Sequence, residues 1–277
     1  MAITAADVKA LREKTGAGMM ECKKALTETN GDAAAAEKLL KERGLAAVEK
    51  RADRATSEGR VFVKITDSKA AMLELTCETD FVAKNDDFIA LGSKMLDIVL
   101  EKGYTEKKDE LTGMLTELAT KIRENMTVGR IAVIDVPSDG VVAKYIHSDN
   151  KTGVIVAVKG SKADSVRQFA YDCCLHLAAF TPEFLRQSDV PQSYIDEQKE
   201  IFSKQMEQDP KMTGKPDNVK AGILSGKISK HLAEICFEDQ MFVKDDKISV
   251  SKKLQEVAKE AGAGLSFGDI RLFVLGK

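Results

Sequence analysis

The sequence is poor in the residues on which metal sites and disulfide frameworks depend. It has three histidines, which lie far apart at His147, His176 and His231, and five cysteines. Because the cysteines are odd in number and their only close pair, Cys173 and Cys174, is adjacent in sequence, we predict reduced thiols. Scattered histidines offer no local set of ligands, so we expect no metal and no cofactor. We predict that His176 is a partly buried, hydrogen-bonded structural residue.

The sequence also lacks long apolar runs, an export signal and an excess of basic residues. Its apolar runs fall far short of the roughly 20 residues that a membrane-spanning helix needs, and the residues after Met1 do not resemble a signal peptide. Lys and Arg number 42 against 44 Asp and Glu, a net charge of -2, which does not indicate a nucleic-acid-binding surface. We therefore expect a soluble cytoplasmic protein whose partner is a protein or a small ligand, with no nucleic acid and no membrane.

Motifs for nucleotide binding and catalysis are missing as well. The chain contains neither a phosphate loop of the GxxxxGK[ST] type nor a GxGxxG motif after a predicted strand, and Gly16-Ala17-Gly18 joins two helices. Catalytic residues that are distant in sequence would escape such a search. The sequence thus predicts a binding protein with no catalytic residue rather than an enzyme.

The chain does contain 43% hydrophobic and 31% charged residues. The hydrophobic residues recur with a helical period in some segments and with a strand period of two in others. Residues 1–44 carry three short helical stripes, the last of which Gly44 is predicted to cap at its carboxyl end. Residues 45–58 are predicted to form a charged linker, either helical or extended. From Gly59 the period changes to two, which predicts a β-hairpin leading into a helix that begins near Phe81.

A second hairpin followed by a helix begins near Gly140. The fold class we predict is therefore α+β, with a duplicated core of antiparallel sheet covered by helices. After Pro191, two amphipathic helices separated by a polar turn predict a helical hairpin, either projecting from the body because its apolar stripes are narrow or forming part of the core. The strand around Ile270 is predicted to join the second sheet. The predicted core halves are 59–138 and 139–190 with 231–277, and the inserted hairpin is 191–230.

The most informative segment, TDFVAKN, runs from Thr79 to Asn85 between a predicted strand and a predicted helix. At such a corner an acidic and aromatic pair can be held where another protein reaches it. The pattern leaves a second interpretation open, in which Asp80 is a helix N-cap and Phe81 lies on the core stripe seven residues before Phe88.

Two other sets of candidate residues allow similar alternatives. Met19 and Met20 lie about 100° apart on a helix, so we expect one of them in the core and the other exposed. His147, in the turn of the second hairpin, is predicted to be either a partner contact or an exposed turn residue.

Four motifs together resemble a known family. They are TGAGMMECKKAL (Thr15 to Leu26), NGD (Asn30 to Asp32), CETDFVAKN (Cys77 to Asn85) and GKP (Gly214 to Pro216). In sequence and in order they closely resemble bacterial elongation factor Ts, and the resemblance covers essentially the whole chain. It implies a three-helix ubiquitin-associated-like module, a duplicated core and a coiled-coil hairpin inserted in its second half.

The resemblance also implies a function. Members of the family exchange the nucleotide on elongation factor Tu, so the chain is expected to bind the GDP form, loosen GDP and its magnesium, and leave when GTP rebinds. By motif, Phe81 would wedge between helices of the GTPase and Asp80 would disturb the region that holds the magnesium. The other implied partner-binding residues are Arg12, Met19, Met20, Lys23, Thr79, Val82 and His147.

A different function class remains open from the residues alone. The chain could be a structural or chaperone-like binding module that associates through the helical hairpin, with the Thr79–Asn85 corner acting only as a cap. In either case the hairpin is a candidate contact for a homodimer.

Overall fold

The computed structural model describes residues 3–277, which form ten α-helices and eight strands. The helices are α1 (Ala5–Thr15), α2 (Met19–Glu28), α3 (Ala33–Glu49), α4 (Asp80–Ala83), α5 (Asp86–Lys102), α6 (Asp109–Ile122), α7 (Asp164–Phe180), α8 (Gln192–Gln208), α9 (Asp217–Ile235) and α10 (Val250–Ala261). The strands are β1 (Glu58–Ile65), β2 (Lys69–Cys77), β3 (Met126–Asp135), β4 (Val141–Ile146), β5 (Thr152–Lys159), β6 (Met241–Phe242), β7 (Asp245–Ser249) and β8 (Ser266–Val274). The mixture of helices and small sheets agrees with the predicted α+β class.

The chain divides into two compact units. Unit 1 contains residues 3–135, 146–153 and 273–277, and unit 2 contains residues 136–145 and 154–272. The turn that carries His147 therefore groups with unit 1, although most of strands β4 and β5 lies in unit 2.

Local sequence explains why unit 1 begins with three helices. The Thr4 side chain and the Asp7 side chain cap α1 reciprocally, and Asp32 accepts hydrogen bonds from the first turn of α3. Gly16 ends α1 with φ at 69°, a left-handed conformation that glycine adopts without strain. The three helices share a small core of Val8, Leu11, Cys22, Ala25, Leu26, Ala36 and Leu40.

The prediction that Gly44 caps α3 was wrong. The helix continues through Glu49, and Gly44 lies inside it. A Cβ atom at this position would lie 2.2 Å from the Cγ2 atom of Thr120 in α6. Glycine is therefore favoured here because α3 passes close to α6, and not because the helix ends.

The sheet of unit 1 has the order β1-β2-β3, with both pairs antiparallel. The predicted hairpin is present, with Val63 opposite Met72. Helices α5 and α6 supply the apolar stripes that cover this sheet, and their largest buried side chains include Phe88, Met95 and Leu111. Burial of each such side chain contributes about 1.5–3 kcal/mol to folding. The corner between β2 and α4 thus rests on a well-packed core.

The sheet of unit 2 has the order β4-β5-β8, so the terminal strand joins the second sheet as predicted. Its buried valines form one cluster with residues of α7 and α10, including Phe169, Cys173 and Val257. The small β6–β7 pair was not predicted, because its strands are short and one of them is mainly polar.

The predicted helical hairpin corresponds to α8 and α9, which pack on each other within unit 2. Its buried cluster, Val190, Ile228, Leu232 and Cys236, lies towards the end where the hairpin meets the rest of the chain. Away from this cluster, Met206 is the buried residue of α8. The hairpin therefore has a small core of its own.

All five cysteines are unpaired and buried, as expected of reduced thiols. Burial raises the pKa of Cys77 to about 12 and that of Cys236 to about 11. Thiols with such pKa values are poor nucleophiles near neutral pH. No helix within residues 3–277 is long and apolar enough to cross a membrane.

Candidate functional site

The corner between β2 and α5 is built from two consecutive helix starts. Thr79 is the N-cap of α4, and its hydroxyl accepts a hydrogen bond from the Val82 amide at 3.4 Å. One turn later Asn85 caps α5, and its side chain accepts from the Asp87 amide at 2.9 Å. The predicted single helix is therefore interrupted, and α4 is a separate turn of four residues.

This interruption decides the position of Phe81. Its side chain is 82% exposed, whereas Phe88, seven residues later, is fully buried. The helical phase that relates residues seven apart does not continue through two caps. The interpretation of Phe81 as a core residue was wrong for this reason. The N-cap interpretation of Asp80 was wrong too, since Thr79 is the cap.

Asp80 lies beside Phe81 and carries a negative charge. Its carboxylate accepts a hydrogen bond from the Lys84 ammonium at 2.6 Å, one helical turn away. This bond holds the pKa of Asp80 below its usual value. Asp80 is therefore ionised near neutral pH, next to an exposed aromatic ring.

Val82 has a different position from its neighbours. It is 7% exposed and belongs to the core of unit 1 together with Ala83. The Ala83 carbonyl also accepts a hydrogen bond from Arg60 at 3.3 Å. Val82 thus anchors the corner to the core of unit 1, and most of its side chain is buried there.

Sequence reasoning missed Glu124 and Asn125, which lie in the connection between α6 and β3 and brace the corner. The Glu124 carboxylate accepts from the Thr79 amide at 3.1 Å and from the Thr79 hydroxyl at 2.7 Å. The Asn125 amide donates to the Glu78 carboxylate at 2.6 Å. In the sequence these residues form an ordinary polar connection between a helix and a strand, and nothing there signals a contact 45 residues away.

A second exposed surface lies at the start of α2. Met19 is 43% exposed and Met20 is 75% exposed, and Arg12 and Lys23 are exposed as well. The prediction that one methionine enters the core was wrong, because Cys22 together with Ala25 and Leu26 already supplies the buried face of α2. Two flexible thioethers therefore face outward at one helix end, a common feature of surfaces that bind partners.

His147 lies exposed in the turn between β4 and β5. Its amide donates to the Thr152 carbonyl at 2.9 Å, and its carbonyl accepts from the Asn150 amide at 2.8 Å. The turn is fastened to β1, because the Val61 amide donates to the Asn150 carbonyl at 2.8 Å. His147 therefore occupies a fixed turn of unit 1.

The ionisable groups of residues 3–277 include no group of three or more His, Cys, Asp or Glu side chains that could hold a metal ion. The exposed features of the corner and of α2 are instead an aromatic ring, a carboxylate and two thioethers. These groups can fill an apolar cleft and present a charge to another protein.

Comparison with known proteins identifies relatives along the whole chain. The family model described as Elongation factor TS matches residues 78–276. The chain is 56% identical over 281 residues to elongation factor Ts of Treponema denticola, covering 100% of this chain and 99% of that protein. It is 50% identical over 292 residues to the protein of Treponema pallidum, with 100% and 99% covered. It is 41% identical over 280 residues to that of Borreliella burgdorferi, with 99% of each chain covered.

Proposed function

Because the chain belongs to the elongation factor Ts family, we propose that it binds the GDP form of elongation factor Tu and promotes GDP release and GTP reloading. It acts by binding a protein, not by catalysing a reaction of its own. The observation that carries this proposal is the exposure of Phe81 at a corner that is capped, ion-paired and braced.

An exposed phenylalanine on a rigid corner is costly for the isolated protein. Leaving such a ring in water forgoes about 1.5–3 kcal/mol relative to burying it. A partner with an apolar cleft recovers that energy. We infer that Phe81 enters a cleft between helices of the GTPase and that Asp80 brings its negative charge towards the region that holds magnesium there.

The corner cannot provide the whole effect. If the GTPase binds GDP with nanomolar affinity, about -12 kcal/mol, faster release by several powers of ten needs several kcal/mol of coupling. We therefore infer further contacts from Arg12, Met19, Met20 and Lys23 on the first two helices and from His147 on the turn of unit 1. Their exposure supports this assignment.

The finer architecture belongs to the same proposal. We infer that α1, α2 and α3 form a ubiquitin-associated-like module, which extends past the predicted boundary at residue 44 to the end of α3 at Glu49, and that the two sheets arose as a duplicated core. Support comes from the order of elements, since a hairpin followed by helical structure occurs in β1-β2-α4-α5 and again in β4-β5-α7.

The test is the release of a fluorescent GDP analogue from purified elongation factor Tu. Micromolar protein is expected to accelerate release, and Phe81→Ala is expected to slow the accelerated rate by about 10- to 100-fold, the equivalent of burying one phenylalanine. The unfolding free energy of Phe81→Ala should stay within about 0.5 kcal/mol of the wild type, because the ring contributes little to the core.

Two controls define this test. Phe88→Ala should lower the unfolding free energy by about 3–5 kcal/mol, since that ring is fully buried. Tyr171→Ala removes an exposed ring outside the proposed contacts and should leave exchange unchanged. No acceleration by the wild type would refute the function, and an unchanged rate for Phe81→Ala would refute the role of the ring.

A further inference from the structure

We propose that Glu124 is a positioning residue that holds the Asp80-Phe81 corner in its outward conformation. This inference rests on the proposed function of the corner and adds to it a residue outside the corner itself. Glu124 lies 45 residues away in sequence and is hydrogen-bonded to the corner through Thr79.

The first argument is the geometry of the Thr79 hydrogen bonds. Both donors of Thr79, its amide and its hydroxyl, point at the two oxygens of the Glu124 carboxylate, at 3.1 and 2.7 Å. Since the hydroxyl proton is directed at Glu124, an oxygen lone pair is left for the Val82 amide, which donates to it at 3.4 Å. Glu124 thus orients the side chain that caps α4.

The second argument is the length of α4. It has four residues, and a single helical turn does not form by itself because nucleation is unfavourable. Its conformation depends on its caps and on the anchoring of Val82 in the core. When the cap is loosened, Phe81 gains the freedom to leave its exposed position.

The third argument is that the backbone around Glu124 is itself fixed. The Asn125 side chain donates to the carbonyls of Ala52 and Arg54 at 3.0 and 2.7 Å. On the other side, Arg123 ends α6 with φ at 69°, and its guanidinium pairs with Glu21 next to Met20. A carboxylate held in this way can serve as a fixed point for the corner.

The absence of tryptophan from the chain permits a direct test that needs no partner. Phe81→Trp introduces a single indole at the corner, whose fluorescence anisotropy and quenching by acrylamide report its mobility and exposure. In this background, Glu124→Gln keeps the shape of the side chain but replaces one acceptor oxygen by a donor. We expect lower anisotropy and a measurable change in quenching for this variant.

Two further variants isolate the cause. Thr79→Val removes the hydroxyl and keeps the amide, so it should change the reporter in the same direction, and the double variant should add little to Glu124→Gln. Glu117→Gln, an exposed glutamate on α6, is the matched control and should leave the reporter unchanged. An unchanged reporter in both Glu124→Gln and Thr79→Val would overturn the inference whatever the exchange assay shows.

The exchange assay then tests the functional part of the inference, with Phe81 restored. Glu124→Gln should lower the maximal rate of GDP release by about tenfold, while the concentration of protein for half-maximal effect changes less, because the surface on α2 is intact. If the reporter changes but the exchange rate does not, Glu124 braces the corner without positioning it for exchange. If the wild type itself fails to accelerate release, the proposed function fails. The fluorescence reporter still shows whether Glu124 holds the corner in its outward conformation.

Discussion

At the scale of single residues, burial separates the side chains that hold this protein together from those that are free to bind. Phe81 and Phe88 have the same side chain and lie seven residues apart, yet one is 82% exposed and the other fully buried. Val82 and Asp80 flank Phe81, and one enters the core while the other carries an exposed charge. The corner therefore combines buried, anchoring side chains and exposed side chains within a single turn.

His176 shows how a buried polar side chain is accommodated. Its Nδ1 atom accepts from the Val243 amide at 3.2 Å, so the ring proton is on Nε2, which donates to Gln240 Oε1 at 2.8 Å. The prediction of a hydrogen-bonded structural histidine is confirmed, although the side chain is fully rather than partly buried. Burial lowers the pKa of His176 despite the bond to Gln240.

This lowered pKa predicts a pH dependence of stability. The unfolded chain takes up a proton at His176 near pH 6.5, whereas the folded protein does so only at lower pH. The contribution of neutral His176 to the free energy of unfolding is therefore fully present above about pH 6.5 and is lost progressively as the pH drops below that value. Urea denaturation should show a lower midpoint at pH 5.5 than at pH 7.5.

Variants of the histidines assign this effect. His176→Gln should reduce the difference in urea midpoint between pH 5.5 and pH 7.5. His231→Gln, at a partly exposed histidine of the hairpin, should retain that difference. An equal pH dependence in the wild type and in His176→Gln would contradict the assignment.

At the scale of elements, hydrogen-bonding caps and close approaches determine where helices begin, end and pass one another. The caps Thr79 and Asn85, six residues apart, divide what hydropathy suggested to be one helix. At Gly44 the reverse holds: glycine often ends a helix, but here α3 continues through it. In both cases the local signal was visible in the sequence, but its consequence depended on neighbouring elements.

The packing of α3 against α6 can be tested with two glycines. Replacing an exposed helical glycine by alanine normally stabilises a helix by about 0.5–1 kcal/mol, and Gly113→Ala on α6 should do so, because nothing lies within 4 Å of the added Cβ. Gly44→Ala should instead destabilise the protein by about 1–3 kcal/mol, because its Cβ would overlap the Thr120 methyl group.

A rescue variant makes this comparison specific. The Thr120 hydroxyl donates to the Thr116 carbonyl at 3.0 Å, which keeps the methyl group pointing at α3. Thr120→Ser removes that methyl group and should restore most of the stability lost in Gly44→Ala, as measured by urea denaturation. Failure of the rescue would mean that the overlap is not the cause.

At the scale of the whole molecule, the residues proposed to contact the partner and the helical hairpin belong to different compact units. The proposed contacts Phe81, Met20 and His147 all belong to unit 1. The hairpin of α8 and α9 belongs to unit 2 and has its own buried cluster. Ile228 and Leu232 of this cluster lie towards the end where the hairpin joins the rest of the chain. The hairpin can therefore be shortened without removing that cluster.

We predict that replacing residues 204–224 by a short Gly-Ser turn leaves a folded protein that still accelerates GDP release. Phe202 and His231 keep their ring contact in this variant. If the hairpin mediates a homodimer, sedimentation should show self-association of the full chain that the shortened protein lacks. Loss of exchange in a folded shortened protein would instead place the hairpin among the contacts with the GTPase.

By itself the sequence determined the local features of this protein. The helix caps at Thr4 and Asp32, the β1–β2 hairpin and the amphipathic stripes depend on residues a few positions apart. Four short motifs between Thr15 and Pro216 together indicated the family. These features follow from interactions that close neighbours in the chain make with each other.

Only the tertiary structure decided which way the key side chains point. The burial of Val82, the close approach at Gly44 and the hydrogen bonds of Glu124 to Thr79 depend on residues brought together from distant parts of the chain. The exposure of Phe81 and of both methionines became clear only once the buried face of each element was known. Sequence periodicity describes one element at a time and cannot tell which face a neighbouring element will cover, because that is settled by packing.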